Sequence, residues 1–229
     1  MRLRGVVFVQ RGLDGDFAHM IRDPNYKKSL FVFNDNVYDA NTTPVMNGGN
    51  TACIRSAAYK YNRTEPPRAS GIPTGWSSES GGFRLSKSNS MTSFTKRAII
   101  LAIERIVLLC QEHDIDEVVF SADPLQPNRL GCGIFSPDAA IVDFIMEKLQ
   151  AIPTRVQHEK CMFTHDRLDK LEQDLLEVAD LHRQLAKSSS QKRNLLVLPP
   201  ARGGPPLLQK KVIKRPSTPS TTMTIRRFF

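Results

Sequence analysis

Three turns rich in glycine and asparagine interrupt the apolar runs of this chain, and together they could cradle a phosphorylated ligand. The first is Asn34-Asp35-Asn36, continuing to Asn47-Gly48-Gly49-Asn50. The second is Pro67-Arg68-Ala69-Ser70-Gly71-Ile72-Pro73-Thr74-Gly75, and the third is Gly131-Cys132-Gly133-Ile134-Phe135. A glycine has no Cβ, so backbone N–H groups there can approach phosphate oxygens, and a helix opening behind the turn adds its positive end. The third turn has that arrangement, with Ser136-Pro137-Asp138 directly after it. Asn36 fits either a sugar contact or a turn at a strand end. Asp35 is the carboxylate nearest the first turn, which makes it the candidate for positioning a water, beside the plainer reading of a surface turn residue. Phe135 suits stacking on a sugar or base, or a place in the core.

Other reactive side chains form no constellation. Cys132 has no neighbouring base and reads as a small loop residue. The four cysteines, Cys53, Cys110, Cys132 and Cys161, are widely spaced without a CxxC pair, so neither a zinc site nor a disulfide framework is expected. His19, His113, His158, His165 and His182 follow no ligand spacing and read as surface or capping residues. Trp76 either covers the cleft or packs its loop down. No metal and no cofactor is implied.

Strands and helices in alternation must position these turns. Val6-Val7-Phe8-Val9, Ser29-Leu30-Phe31-Val32-Phe33 and Glu117-Val118-Val119-Phe120 read as short buried strands. Ile99, Ile100, Ile103, Ile106, Val107 and Cys110 recur at helical spacing and predict a helix from about Thr95 to His113. A second helix is expected from Ser136-Pro137-Asp138 through Leu149, with Pro in its first turn. Val156 to about Phe163 reads as one more strand, and residues 64–92 as loops over the sheet edge. Residues 165–187 carry Leu168, Leu171, Leu175, Val178, Leu181 and Leu185 on one stripe, a helix that packs on the body or pairs with another helix. This order of elements argues α/β layers.

Charge divides the chain differently. The net charge is +9, yet residues 187–229 hold ten Lys/Arg and no Asp/Glu, so residues 1–186 are close to neutral. Ser, Pro, Gly and basic residues dominate beyond Lys187, a composition that cannot bury a core and predicts a disordered tail. The charge serves solubility, non-specific nucleic-acid contact or nuclear import. No segment reaches the roughly 18 apolar residues of a membrane span, and no signal peptide is visible. An intracellular protein without a membrane partner is expected.

The segment Gly131-Cys132-Gly133-Ile134-Phe135-Ser136-Pro137-Asp138-Ala139-Ala140 resembles the phosphate loop of macrodomains, the ADP-ribose-binding α/β modules. Gly48-Gly49-Asn50 before Thr51-Ala52-Cys53-Ile54 is similar to the family's glycine turn into a helix. Asn36 falls where the family holds the distal ribose, and Gly15-Asp16-Phe17 where an acidic residue receives the adenine amino group. Asp16 is equally suited to capping a short helix that opens at Phe17. The resemblance spans roughly residues 1–152 and implies a three-layer α/β/α sheet, with a C-terminal helix and the basic tail added. Its ligand would be ADP-ribose or an ADP-ribosylated macromolecule, with Asp16, Asn36, Gly48, Gly49, Asn50, Gly131, Cys132, Gly133, Ile134 and Phe135 around it. If the module hydrolyses an ADP-ribosyl linkage, Asp35 would position the water. The acidic pair of the poly-ADP-ribose glycohydrolase branch is absent.

The last eight residues, Thr222-Met223-Thr224-Ile225-Arg226-Arg227-Phe228-Phe229, put an aliphatic residue three positions before an aromatic pair. Each Phe would bury roughly 150–250 Å² in a partner pocket. With Ile225 and Phe228 one helical turn apart, the segment resembles the PCNA-interacting peptide of the DNA sliding clamp, Thr222 standing where the family has Gln. The alternative to this reading is an accidental hydrophobic end. The expected organisation is a macrodomain-like body over 1–163, an amphipathic helix over 164–187 and the tail over 188–229. The expected function is ADP-ribose binding, with recruitment to the clamp in the nucleus or wherever DNA is replicated or repaired. The alternative is a non-catalytic replication or repair accessory, a viral one included, whose α/β body binds protein or nucleic acid.

Overall fold

The computed structural model describes residues 1–38, 54–55, 68–77, 79–133, 136–159 and 165–195, the last of these with side chains over 166–189. Strands β1 (Arg2–Val6), β2 (Ser29–Asn36), β3 (Ala69–Gly75) and β4 (Glu117–Ser121) form one sheet in the order β1-β4-β2-β3. Every pairing is parallel, with Arg4 opposite Val119, Phe31 opposite Val119 on its other side, and Phe33 opposite Gly71. Parallel neighbours require long crossovers. Helices α1 (Phe17–Met20), α2 (Ser93–Glu112), α3 (Ala139–His158) and α4 (His165–Leu195) accompany the sheet. The protein is mixed α/β.

Alternation along β2 sorts the core into two clusters. Leu30 and Val32 join Ile72, Val118 and Phe120 against Ile99, Ile103 and Ile106 of α2 and Ile145 and Leu149 of α3. Phe31 and Phe33 join Val119, Ile54 and the α1 residues Phe17 and Met20 in the other cluster. Covered on both faces, the central strands read as continuous apolar runs. Each fully buried Phe or Ile contributes about 1.5–3 kcal/mol, so these faces fix which residues end up at the strand ends.

The chain divides into two compact units, Met1–Ser190 and Gln191–Phe229, and only residues 191–195 of the second are described. Among the described residues no helix is long and apolar enough to cross a membrane.

Several elements depart from the sequence expectation. Strand β1 runs Arg2–Val6 rather than Val6–Val9, because Arg2 to Val6 pair with Glu117 to Ser121, while Phe8 and Val9 are exposed. Residues 69–75, expected as loop, form the buried strand β3. Small residues are required there, since a Cβ on Gly71 would lie 2.5 Å from Asp35 Oδ2. Pro73 costs this strand little because, among the described residues, β2 is the one strand paired with β3, and its other side meets the chain at Gly82 and Phe83, past Pro73. Residues 156–158, expected as strand, continue α3 past Pro153. Arg155 holds that end, pairing with Glu104 at 2.8 Å and Glu159 at 2.7 Å. The α3 N-cap is Asp138, so Pro137 precedes the helix instead of sitting in its first turn. Helix α2 opens at Ser93, where Thr92 accepts from the Thr95 N–H. Helix α4 runs on to Leu195, past the expected end at residue 187. Residues 160–163 and the tail beyond 195 lie outside the described residues.

Candidate functional site

In open parallel sheets ligands gather at the carboxyl ends of the strands. That edge is formed here by the ends of β1, β4, β2 and β3, and most described candidate residues stand on it.

Asn34 continues the Leu30, Val32 alternation to the strand end and donates from Nδ2 to the Gly131 carbonyl oxygen at 2.7 Å. Its Oδ1 is buried and has no hydrogen-bond partner among the described residues. The two central strands β2 and β4 are thereby joined at their carboxyl ends. Asn36, one residue past a register shift, lies against Gly75, whose substituted Cβ would be 3.2 Å from Asn36 Oδ1.

The loop after β4 closes on itself before it reaches Gly131. Ala122 bridges Leu130, and the Asp123 N–H donates to Arg129 O at 2.8 Å. Gly131 N then donates to Ser121 O at 2.8 Å, and a Cβ at Gly131 would meet Ala122 O at 2.5 Å. Only glycine permits that approach. Gly133 has φ +58°, and its carbonyl accepts from Ser136 Oγ at 2.8 Å. Cys132 is half-buried, and burial pushes its thiol up to about 12, so it stays protonated and unreactive at neutral pH. Asp138 accepts from the Leu85 N–H at 2.7 Å and from Arg84 at 2.9 Å, and these contacts hold its carboxyl below the usual range. Its side chain therefore does not cap α3.

Asp16 is 3% exposed and works inside its own loop. Oδ1 accepts from Ala18 N at 3.2 Å and from Arg11 at 3.3 Å, and Oδ2 from Gly12 N at 2.9 Å. Of the two sequence readings, capping of α1 is the one this geometry displays. Gly15 (φ +98°) lies so close to the segment following β1 that a Cβ would overlap Val7 O.

Asp35 points into a buried ionic cluster. Its Oδ1 meets Arg55 at 2.5 Å, with both side chains under a tenth exposed, and also accepts from Asn36 N at 2.9 Å. Nearby, Arg105 of α2 donates to Ser70 Oγ at 3.2 Å and to Gly71 O at 2.8 Å, with Glu172 of α4 at 3.9 Å. Burial lowers the Arg105 pKa, and the Glu172 and Asp35 charges oppose that. Asp35, Arg105 and Glu172 line a cavity of about 30 Å³, far too small for a nucleotide. This position is a buried structural pair, not the surface turn the sequence allowed.

Beyond the carboxyl ends of β2 and β3 stands an aromatic group. Tyr38 and Trp76 are pinned side by side by Tyr38 N to Trp76 O at 2.9 Å. His182 of α4 stacks on Trp76 with ring centres 3.6 Å apart and planes 7° apart, and its Nδ1 meets Tyr38 Oη at 2.7 Å. His182 is therefore not a surface residue. Its place at the i+4 position after Val178 and i+7 after Leu175 on the inward stripe is the signal that sequence reading passed over. Asn34, read in the sequence as part of the first turn, is instead in strand β2 and follows Leu30 and Val32 at period two.

The larger depressions lie elsewhere. One of about 440 Å³ sits at the amino ends of the strands around Arg2, Lys28, Asp116 and Glu117, whose charges are paired with one another or with Asp114. Another of about 460 Å³ separates residues 126–129 from α3. Gly48, Gly49, Asn50, Ile134, Phe135, Thr222, Ile225, Phe228 and Phe229 lie outside the described residues. No cluster of metal-ligating side chains occurs among the described residues.

These features define a mixed α/β protein with a four-stranded parallel sheet and a glycine turn tied to its central strand. Comparison with protein-family models, curated proteins and solved structures finds no match to this chain.

Proposed function

We propose that the carboxyl edge of this sheet binds ADP-ribose or a related nucleotide derivative. The observation that carries the reading is the 2.7 Å hydrogen bond from Asn34 Nδ2 to Gly131 O, which sets the Gly131–Gly133 turn against the central strands. Helix α3, twenty residues long, opens at Ala139, six positions after Gly133 in the sequence, and its positive end favours an anion near its start. The likeness of residues 131–140 to a macrodomain phosphate loop supplies the ligand class. In this reading the turn holds the diphosphate, and Asn34 and Asn36 hold ribose hydroxyls.

The geometry favours binding over hydrolysis. Asp35 neutralises Arg55 and faces a cavity without room for substrate. A carboxylate committed to a buried cation is a poor base. Through its tail, the protein is recruited to a DNA sliding clamp by Ile225, Phe228 and Phe229, and works at sites of replication or repair in the nucleus.

Calorimetric titration of the full chain with ADP-ribose tests the body. A saturable exothermic isotherm that weakens at least about tenfold in Asn34→Leu is expected from the loss of a positioning hydrogen bond. Undetectable binding at millimolar ligand would sink the proposal. Release of free ADP-ribose from a modified protein would replace the binding reading with a hydrolytic one.

A further inference from the structure

We propose that the carboxyl ends of β2 and β3 carry a slot for a planar heteroaromatic base, which α4 keeps closed by inserting His182 as an internal occupant. The imidazole receives both contacts by which proteins hold a base. Trp76 stacks on its face at 3.6 Å and 7°, and Tyr38 Oη reaches the ring nitrogen Nδ1 at 2.7 Å. The other ring pairs in this cluster are tilted or edge-on at 5.2–6.2 Å, so the parallel stack on Trp76 stands apart.

The slot belongs to the body. Tyr38 and Trp76 are joined through their backbones, Phe83 packs edge-on against Trp76 at 5.2 Å, and Phe94 of α2 stands 5.9 Å from the imidazole. None of these four residues is on α4, so the walls stay with the body when the end of the helix lifts.

The strap, helix α4, is seated on the core through Leu168, Val178 and Ala179, all buried, and its hold ends at the slot, where Leu181 and Leu185 are each 52% exposed. Ion pairs from α4 to α2, Arg97 to Asp174 and Arg105 to Glu172, are long at 3.9 Å. Arg183 lies over the Tyr38 ring at 4.3 Å and comes away with the helix. An aromatic base that replaced His182 would gain the stack and the Tyr38 hydrogen bond while α4 stays anchored through Val178 and Ala179, at the cost of the contacts made beyond Ala179. Stacking of one base on an aromatic side chain strengthens binding by about tenfold or more, enough to compete with such contacts.

The chain has a single tryptophan, so Trp76 emission reports on the slot directly. Full-length protein and His182→Ala would be titrated with adenosine monophosphate and with a short single-stranded oligoadenylate. In the wild-type chain the closed strap lowers affinity by the fraction of open molecules. Emission of His182→Ala is expected to be quenched at ligand concentrations at least about tenfold lower than wild type requires, because that closure is removed. Tighter quenching by the oligonucleotide than by the mononucleotide identifies nucleic acid as the source of the base, and the reverse identifies a free nucleotide. Imidazole alone should quench only the variant. Should His182→Ala fail to fold, His182→Gln removes the stacked ring from Trp76 while leaving Tyr38 and Trp76 intact, and is expected to be quenched at lower ligand concentration than wild type. Equal affinities in all three chains, or no quenching by either ligand, would overturn the proposal. Neither result touches the ADP-ribose reading, which uses Asn34 and Gly131 rather than these residues.

Discussion

Asn34 and Gly131, ninety-seven positions apart in the chain, are joined by a 2.7 Å hydrogen bond that ties the end of β2 to the turn following β4. The side-chain donor sits on the central strand and the acceptor is the backbone of the glycine turn. Replacing the donor with an oxygen in Asn34→Asp sets a carboxylate against the Gly131 carbonyl. Breaking one buried hydrogen bond and leaving its acceptor unsatisfied costs about 1–3 kcal/mol. Urea unfolding should show a lower midpoint at unchanged slope, with weaker ADP-ribose binding in the same variant. An unchanged midpoint would remove the bond from any organising role.

Asp35 predicts a larger effect. In Asp35→Asn the nearly buried Arg55 loses its counter-charge, and breaking a buried pair from one side costs about 3–5 kcal/mol. Combining Asp35→Asn with Arg55→Met should recover much of the loss, since both charges are then gone. Additive losses in the double variant would show that the pair is not coupled.

Gly71 is packed against the same carboxylate. In Gly71→Ala the new methyl would lie 2.5 Å from Asp35 Oδ2 and 2.9 Å from its Cβ. Asp35 is short, buried and held by Arg55, so it has little freedom to yield. Overpacking of this kind costs about 1–3 kcal/mol. Gly81→Ala, where no atom lies within 4 Å but φ is +70°, separates backbone strain from crowding. Equal denaturation midpoints for wild type and Gly71→Ala would refute the crowding.

His182 makes the docking of α4 pH-dependent. Desolvation lowers its pKa from 6.5, so the packed helix favours the neutral imidazole. For a base with a depressed folded pKa, the stabilising contribution is complete above the unfolded value and is lost as pH falls through the folded value. Arg183, on the same helix and over Tyr38, is the charged neighbour, and a protonated imidazole would add to its positive charge. Trp76 emission and the melting temperature should therefore both change on moving from neutral to mildly acidic solution. His182→Gln should flatten that dependence; a profile identical to wild type would assign it to another group.

For the tail, a synthetic peptide of residues 216–229 is expected to bind a DNA sliding clamp, and the double substitution Phe228→Ala with Phe229→Ala to abolish binding. Equal binding by the doubly substituted peptide would end the clamp reading.

Much of the architecture was legible in the chain itself. The apolar run at Ser29–Phe33, the helical spacing from Ile99 to Cys110 and the leucine stripe beginning at Leu168 each appear as the expected element, because burial against a sheet imposes those periods. Gly131 reads in the sequence as a turn glycine, and a Cβ there would lie 2.5 Å from Ala122 O. Strand β3 was not legible in this way. Ala-Ser-Gly-Ile-Pro-Thr-Gly has weak strand propensity, and its identity comes from pairing with β2 and from the small space beside Asp35. Local pattern also cannot distinguish a surface aspartate from one that meets a distant arginine, or a surface histidine from one stacked on a tryptophan. Sequence determined the periodic burial that builds the layers. Only the tertiary structure decided which polar side chains face one another, because charge pairing and ring stacking depend on distances between residues far apart in the chain.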